Sequence, residues 1–142
     1  MRDDFNRLVV DANIMASALL GSSFVLLLQL FENGVMLMAP VHQIAETWIV
    51  VARESGQSPE WTDTQMQRLL TVVRPLGPAL FNRYEHSARL RLHARGQLDW
   101  PVIAAAMATD ADVWSHDKDF VGSGAPVWST RVLRRQVETL DA

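Results

Sequence analysis

Four acidic residues, Asp11, Glu46, Asp99 and Asp117, lie far apart in a chain of 142 residues, at positions where an α/β fold would gather its chemistry. Asp11 ends the apolar run Leu8-Val9-Val10, and Asp117 follows the short hydrophobic segment ADVWS. Open parallel sheets collect functional groups beyond the carboxyl ends of their strands. Glu46 falls near the middle of one predicted helix and Asp99 at the start of another, so both could complete a four-carboxylate cavity above the first and fourth strands. Two ionised carboxylates about 4 Å apart repel by about 4 kcal/mol at an effective dielectric near 20, so such a quartet needs protons or a cation. Oxygen donors without cysteine favour Mg²⁺ or Mn²⁺ over a sulfur-ligated zinc.

Each acid also has a plainer role. Asp11 and Asp99 can cap the helices that follow them, Glu46 can be the polar member of an apolar helix, and Asp117 with Asp119 can bracket a turn. None alone identifies an enzyme. Their joint placement is what points to metal chemistry.

The elements that must position them follow from periodicity and punctuation. RLVV reads as a buried strand, with a short helix following through Leu20. After Gly21-Ser22-Ser23, FVLLLQLFE reads as a helix stopped at Gly34, and VMLMA as the next strand. Pro40 opens a helix with apolar positions at Val41, Ile44, Ala45, Trp48, Ile49 and Ala52, which leaves at Gly56 and carries Glu46. ESGQSPEWTD is the most polar interruption, MQRLLTVV a helix running into a third strand near 72–76, and Pro78 to Leu92 one helix with Leu80, Tyr84 and Ala88 inward. Gly96 breaks it. Asp99 caps the alanine-rich helix WPVIAAAMATD, ADVWS is a strand, GAPVWST an edge strand, and RVLRRQVETL a final helix. Alternation of strands and helices predicts a mostly parallel sheet covered by helices, in one domain over residues 1–142.

Composition bounds the function. An apolar content of 49 % with seven Gly and six Pro excludes disordered and collagen-like chains. Absence of Cys excludes disulfides, thiolate nucleophiles and iron–sulfur sites, and suits a reducing cytoplasm. No signal-peptide pattern precedes Val9, and the apolar segment from Phe24 to Leu30 is far short of a bilayer span, so no membrane partner is expected. The net charge of −3 gives no global attraction to nucleic acid. Local clusters do better: twelve of the 13 basic residues are Arg, and Arg83, Arg89, Arg91 and Arg95, then Arg131, Arg134 and Arg135, could grip phosphate with planar forks or simply line solvated helix faces. Of the five Trp, Trp61 is the one expected to be exposed, and His116 is expected to point away from Asp117.

The motifs VVDANIM, AETWIVVAR, LDWPVIAAAMATDADVW and SHDKDF resemble, in order, those of the PIN-domain ribonuclease family, and the likeness extends over nearly the whole chain. It implies a three-layer α/β fold in which Asp11, Glu46, Asp99 and Asp117 form an acidic metal site. Asn13 and Ser115 match the family's supporting positions, and Asp119 is a weaker fifth acid. The resemblance further implies Mg²⁺- or Mn²⁺-dependent endoribonuclease activity on an RNA substrate, leaving 5′-phosphate and 3′-hydroxyl ends, with Arg83, Arg89, Arg91 and Arg95 as candidate RNA contacts. Many small members resembling this chain are VapC-like toxins of type II toxin–antitoxin pairs, which implies a cognate antitoxin and a homodimer that shares apolar residues of the first two helices. Two other α/β chemistries match less well: a receiver-like phosphoacceptor expects an acidic pair before the first turn, and a haloacid-dehalogenase-like phosphatase a second Asp where Asn13 stands. The non-enzymatic alternative is a PIN-like interaction module with an inactive acidic cavity.

Overall fold

A computed structural model describes residues 6–141. Five strands form one sheet: β1 (Arg7–Val10), β2 (Met36–Pro40), β3 (Val73–Leu76), β4 (Asp112–Trp114) and β5 (Val127–Trp128). Their order is β3-β2-β1-β4-β5, and every neighbouring pair is parallel. Leu8 stands opposite Leu37 on one side and Asp112 on the other. The chain therefore leaves central β1 toward β2 and β3, then returns to the other side for β4 and β5. That reversal makes the carboxyl edge between β1 and β4 the topological switch point, where an open sheet forms its crevice.

Eight helices cover the sheet: α1 (Ala12–Leu20), α2 (Phe24–Glu32), α3 (Val41–Ser55), α4 (Pro59–Leu70), α5 (Pro78–Phe81), α6 (Glu85–Leu90), α7 (Trp100–Thr109) and α8 (Thr130–Asp141). Alternating strand residues divide the interior into two cores. Leu8 and Val10 face a cluster with Met15, Leu27, Leu30, Leu69 and Leu133, drawn from α1, α2, α4 and α8. Val9 and Val113 face the opposite cluster with Phe81, Ala88, Ile103 and Ala105, drawn from α5, α6 and α7. Successive strand side chains point to opposite faces, so an unbroken apolar run such as Leu8-Val9-Val10 belongs where both faces are covered. The result is the expected three-layer α/β/α fold. Small side chains at Ala104 and Ala105, both fully buried, let α7 lie close to β1, β2 and β4.

Several expectations need correction. Pro40 closes β2 and precedes the helix rather than opening it, with extended backbone at φ −56°, ψ 146°. The polar stretch read as a loop already contains the first turn of α4: Ser58 accepts the Trp61 N–H through Oγ at 3.1 Å, and Pro59 takes the first helical position. The single helix expected from Pro78 to Leu92 is α5, a 3₁₀ turn over Asn82–Tyr84 and α6. The break at Phe81 turns that ring into the core and leaves Leu80 exposed, while Tyr84 and Ala88 pack inward as expected. On α3 the buried positions are Gln43, Thr47 and Val51, while Val41 and Ile49 are exposed. Gln43 and Thr47 share the docking face with Val51, and the expected Ile44 and Trp48 pack against the first core beside it. Trp61 is half-buried against the first core, which removes it as an exposed stacking platform.

Candidate functional site

Asp11 leaves β1 and enters α1 in one step. Its N–H donates to the Trp114 carbonyl at 3.1 Å, continuing the β1–β4 pairing past the strand end, while its carboxylate Oδ1 accepts the Asn13 N–H at 3.1 Å as a helix N-cap. The other oxygen, Oδ2, accepts the Ser115 hydroxyl at 2.5 Å. Ser115 Oγ in turn accepts the Asp117 N–H at 2.9 Å, and Asp117 Oδ1 accepts the Asp119 N–H at 2.8 Å. A continuous hydrogen-bonded chain thus links Asp11, Ser115, Asp117 and Asp119 across the switch point. Asn13 itself contributes its backbone to this chain, and its side chain is exposed.

Asp99 sits at the cap position of α7 without capping it, since its side chain accepts no cap hydrogen bond. Burial, followed by the charges of Asp11, Asp117, Glu46 and Asp119, pushes its carboxyl up to about 6. All four other acids therefore act on Asp99 through one local field. Burial also pushes the Asp11 carboxyl upward; the Ser115 and Asn13 hydrogen bonds oppose the rise, Asp117 adds to it and the charge of His116 opposes it. These are the signs expected where carboxylates crowd together partly out of water.

Glu46 is exposed on α3, and its helix is fixed by residues on either side of it. Gln43 Oε1 accepts the Ala12 N–H at 2.8 Å, and the Thr47 hydroxyl donates to the Gln43 carbonyl at 2.8 Å and lies 3.5 Å from the Ala12 carbonyl. Gln43 and Thr47 were not among the expected site residues. Their signal in the sequence is two uncharged polar residues four apart, with Val51 a further four on, which puts all three on one face of the helix.

Asp119 is held by Arg95, whose guanidinium donates to Oδ1 at 3.0 Å. The carboxylate is largely covered and the arginine is 82 % exposed, which makes the ion pair weak in itself. Gly96 admits this approach: a Cβ there would lie 2.9 Å from the Asp119 Cβ. The other expected RNA-contacting arginines are dispersed over local partners. Arg89 bonds Glu85 at 2.8 Å and lies over the Trp100 ring, Arg91 reaches the Ser123 carbonyl at 3.5 Å beside Gly124, and Arg83 is exposed over Tyr84. His116 is exposed, and its Nε2 accepts the Thr130 N–H at 3.2 Å.

Carboxylates and a serine hydroxyl, with no sulfur, form a donor set suited to a hard divalent cation. The upward push on Asp99 comes first from burial and then from the neighbouring acids, and a cation would relieve the second of these. Among the described residues, however, no three His, Asp or Glu side chains stand close enough to hold a metal ion as placed. The acids share a field without forming a closed cage. No helix among the described residues is long and apolar enough to cross a membrane; α1 and α2 together have the composition but meet at 111°.

Fold and site define a three-layer α/β domain with acidic side chains around the switch point of a parallel sheet. The sequence profile of the PIN domain matches residues 9–138, so the chain belongs to the PIN-domain family. No curated protein matches it.

Proposed function

We propose that this protein is a Mg²⁺- or Mn²⁺-dependent endoribonuclease and the toxin component of a type II toxin–antitoxin pair. Family membership supports the general nuclease role. The observation that carries the catalytic reading is the raised Asp99 carboxyl, crowded by Asp11, Asp117, Glu46 and Asp119. Excess negative charge at one edge of the sheet stabilises nothing by itself and suits a cation.

Asp11, Asp99 and Asp117 are the residues that would hold the cation, with Glu46 completing the set or orienting the attacking water. A bound divalent ion supplies activation of water and neutralisation of charge on the phosphoryl oxygens, worth several kcal/mol of transition-state stabilisation. Ser115 keeps the Asp11 carboxylate turned toward Asp117 through its hydroxyl. Asn13 and Asp119 support the loop ends, one through its N–H to Asp11 and the other through its N–H to Asp117. A cognate antitoxin, a homodimer and a cytoplasmic setting belong to the same proposal. The exposed apolar residues Leu20, Val25 and Phe31 on α1 and α2 suit such a dimer contact.

One observation favours a second reading, a PIN-like interaction module without catalysis: no preformed metal-holding group exists among the described residues. Cleavage of a mixed RNA pool by wild type, Asp11→Asn and Asp99→Asn, with Mg²⁺ or Mn²⁺ and with EDTA, separates the two. The nuclease proposal expects cation-dependent cleavage by wild type alone, with both variants folded by circular dichroism. Activity in EDTA, or full activity of both variants, would overturn it.

A further inference from the structure

A cavity of about 500 Å³ opens beside the acids, between α1, the ends of β4 and β5, and the start of α8. Its volume falls within the range of sites that enclose small ligands. It begins close to Asp11 and Asp117. Ile14 lines it and donates its N–H to the Asp11 carbonyl at 3.1 Å, and His116, the residue before Asp117, lines it from the loop after β4 and acts by its charge on Asp11.

The charge of this cavity is opposite to that of its neighbour. None of its ten lining residues is acidic, and two are Arg131 and Arg134. Spaced three apart, they share one face of α8. Both are exposed, and among the described residues neither forms a salt bridge or side-chain hydrogen bond. Arg89, Arg91 and Arg95, by contrast, are already engaged with Glu85, Ser123 and Asp119. Free guanidinium forks recognise phosphate oxygens in bidentate fashion. The rest of the wall carries the hydroxyl-bearing Ser17, Ser23, Ser129 and Thr130, over Ile14, Ala18 and Trp114, which are themselves buried in the first core. Two cationic forks beside a row of hydroxyls suit the phosphate and the sugar hydroxyls of a ribonucleotide.

We propose that this cavity is an RNA subsite, which seats one nucleotide of single-stranded RNA flanking the bond presented to the acids, with its phosphate on Arg131 and Arg134. This rests on the nuclease reading for its choice of RNA. It explains how a polyanion can be held next to a cluster of carboxylates that repels it: attraction is supplied from an adjacent compartment on the same sheet edge.

The test measures binding without catalysis. Fluorescence anisotropy of a labelled, mixed-sequence single-stranded RNA about ten nucleotides long is followed in EDTA over a salt series. Arg131→Ala with Arg134→Ala should weaken binding about tenfold or more and lower the log–log salt slope by about 0.7, the value for one lost phosphate contact on a single strand. Ser17→Glu, which adds negative charge at the rim from α1, should weaken it in the same direction. Arg135→Ala removes an equal charge from α8 outside the cavity lining and should change binding less than twofold. Asp99→Asn should bind at least as well as wild type while failing to cleave with Mg²⁺, which distinguishes failure of the subsite from failure of the nuclease reading. The proposal is overturned if wild type does not bind RNA at low salt, if the double arginine variant keeps wild-type affinity and slope, if Arg135→Ala is equally damaging, or if a polyglutamate peptide competes as well as RNA does.

Discussion

The side-chain oxygen of Gln43 accepts the backbone N–H of Ala12 at 2.8 Å, so the helix that carries Glu46 is fastened to the residue immediately after Asp11. This bond is buried and spans 31 positions of sequence. It converts two acids on separate elements into groups with a fixed relation. Gln43→Ala leaves the Ala12 donor without its partner, and an orphaned buried donor costs about 1–3 kcal/mol. Urea unfolding should show that loss. RNA cleavage, measured where the variant is still folded, should fall as well, because Glu46 is freed from its place relative to Asp11. An unchanged urea midpoint would deny the bond its anchoring role.

Ser115 faces both ways, donating to Asp11 and accepting from Asp117. Ser115→Ala should lose about 2 kcal/mol, within the range for hydrogen bonds to charged groups, and push the Asp11 carboxyl further upward by removing the bond that opposes burial. Chemical denaturation measures the first effect and carboxyl titration by NMR the second. A carboxyl that titrates as in wild type would refute the bridge.

Burial, followed by the neighbouring acids, pushes the Asp99 carboxyl up to about 6 in the folded protein, from near 3.9 in an unfolded chain. The folded state holds this proton more tightly, so the associated stability is complete below about 3.9 and is lost as pH rises through about 6. In EDTA, Asp99→Asn should therefore melt above wild type at pH 7.5, with the two converging near pH 4. Adding Mg²⁺ should raise the wild-type melting temperature more than that of the variant. Parallel melting curves across this window would contradict the crowding of Asp99.

Gly96 leaves no room for a methyl group beside Asp119. Gly96→Ala should destabilise by about 1–3 kcal/mol, the usual cost of forcing extra volume into a packed contact, and should disturb the loop that carries Asp117. In an Asp119→Gly background the same substitution should be nearly neutral, because the opposing Cβ is gone. A double-mutant cycle by thermal melting measures that coupling; additive losses would place the strain elsewhere.

The alternation of elements was legible because β1 and β2 are mostly apolar runs and the turns between elements carry Gly, Pro or Ser, and Asp11 and Asp117 could be placed beyond strand ends for the same reason. The orientation of helices was less accessible. Val41 and Ile49 carry the hydrophobic period of α3, yet the helix docks through Gln43 and Thr47, whose partners on Ala12 lie about thirty-five residues or fewer away and leave no local trace. The break after Phe81 was hidden because Leu80, Tyr84 and Ala88 also fit a straight helix. Gly96 suggested a helix end; its closeness to Asp119, 23 positions later, exists only in the folded chain. The arginines were legible as clusters, but which of them had local partners was not.

The pairing of Leu8 with Asp112 and Val10 with Trp114 joins segments about a hundred residues apart, which carries a consequence for synthesis. During translation, a ribosome-bound chain that has not yet exposed β4 has only one side of β1 covered, and Asp117 has not joined Asp11. Long-range parallel pairing is also slow to form. A growing polypeptide is thus kept from bringing Asp117 beside Asp11 until nearly the whole sequence has emerged, so this edge of the sheet is among the last parts of the fold to close.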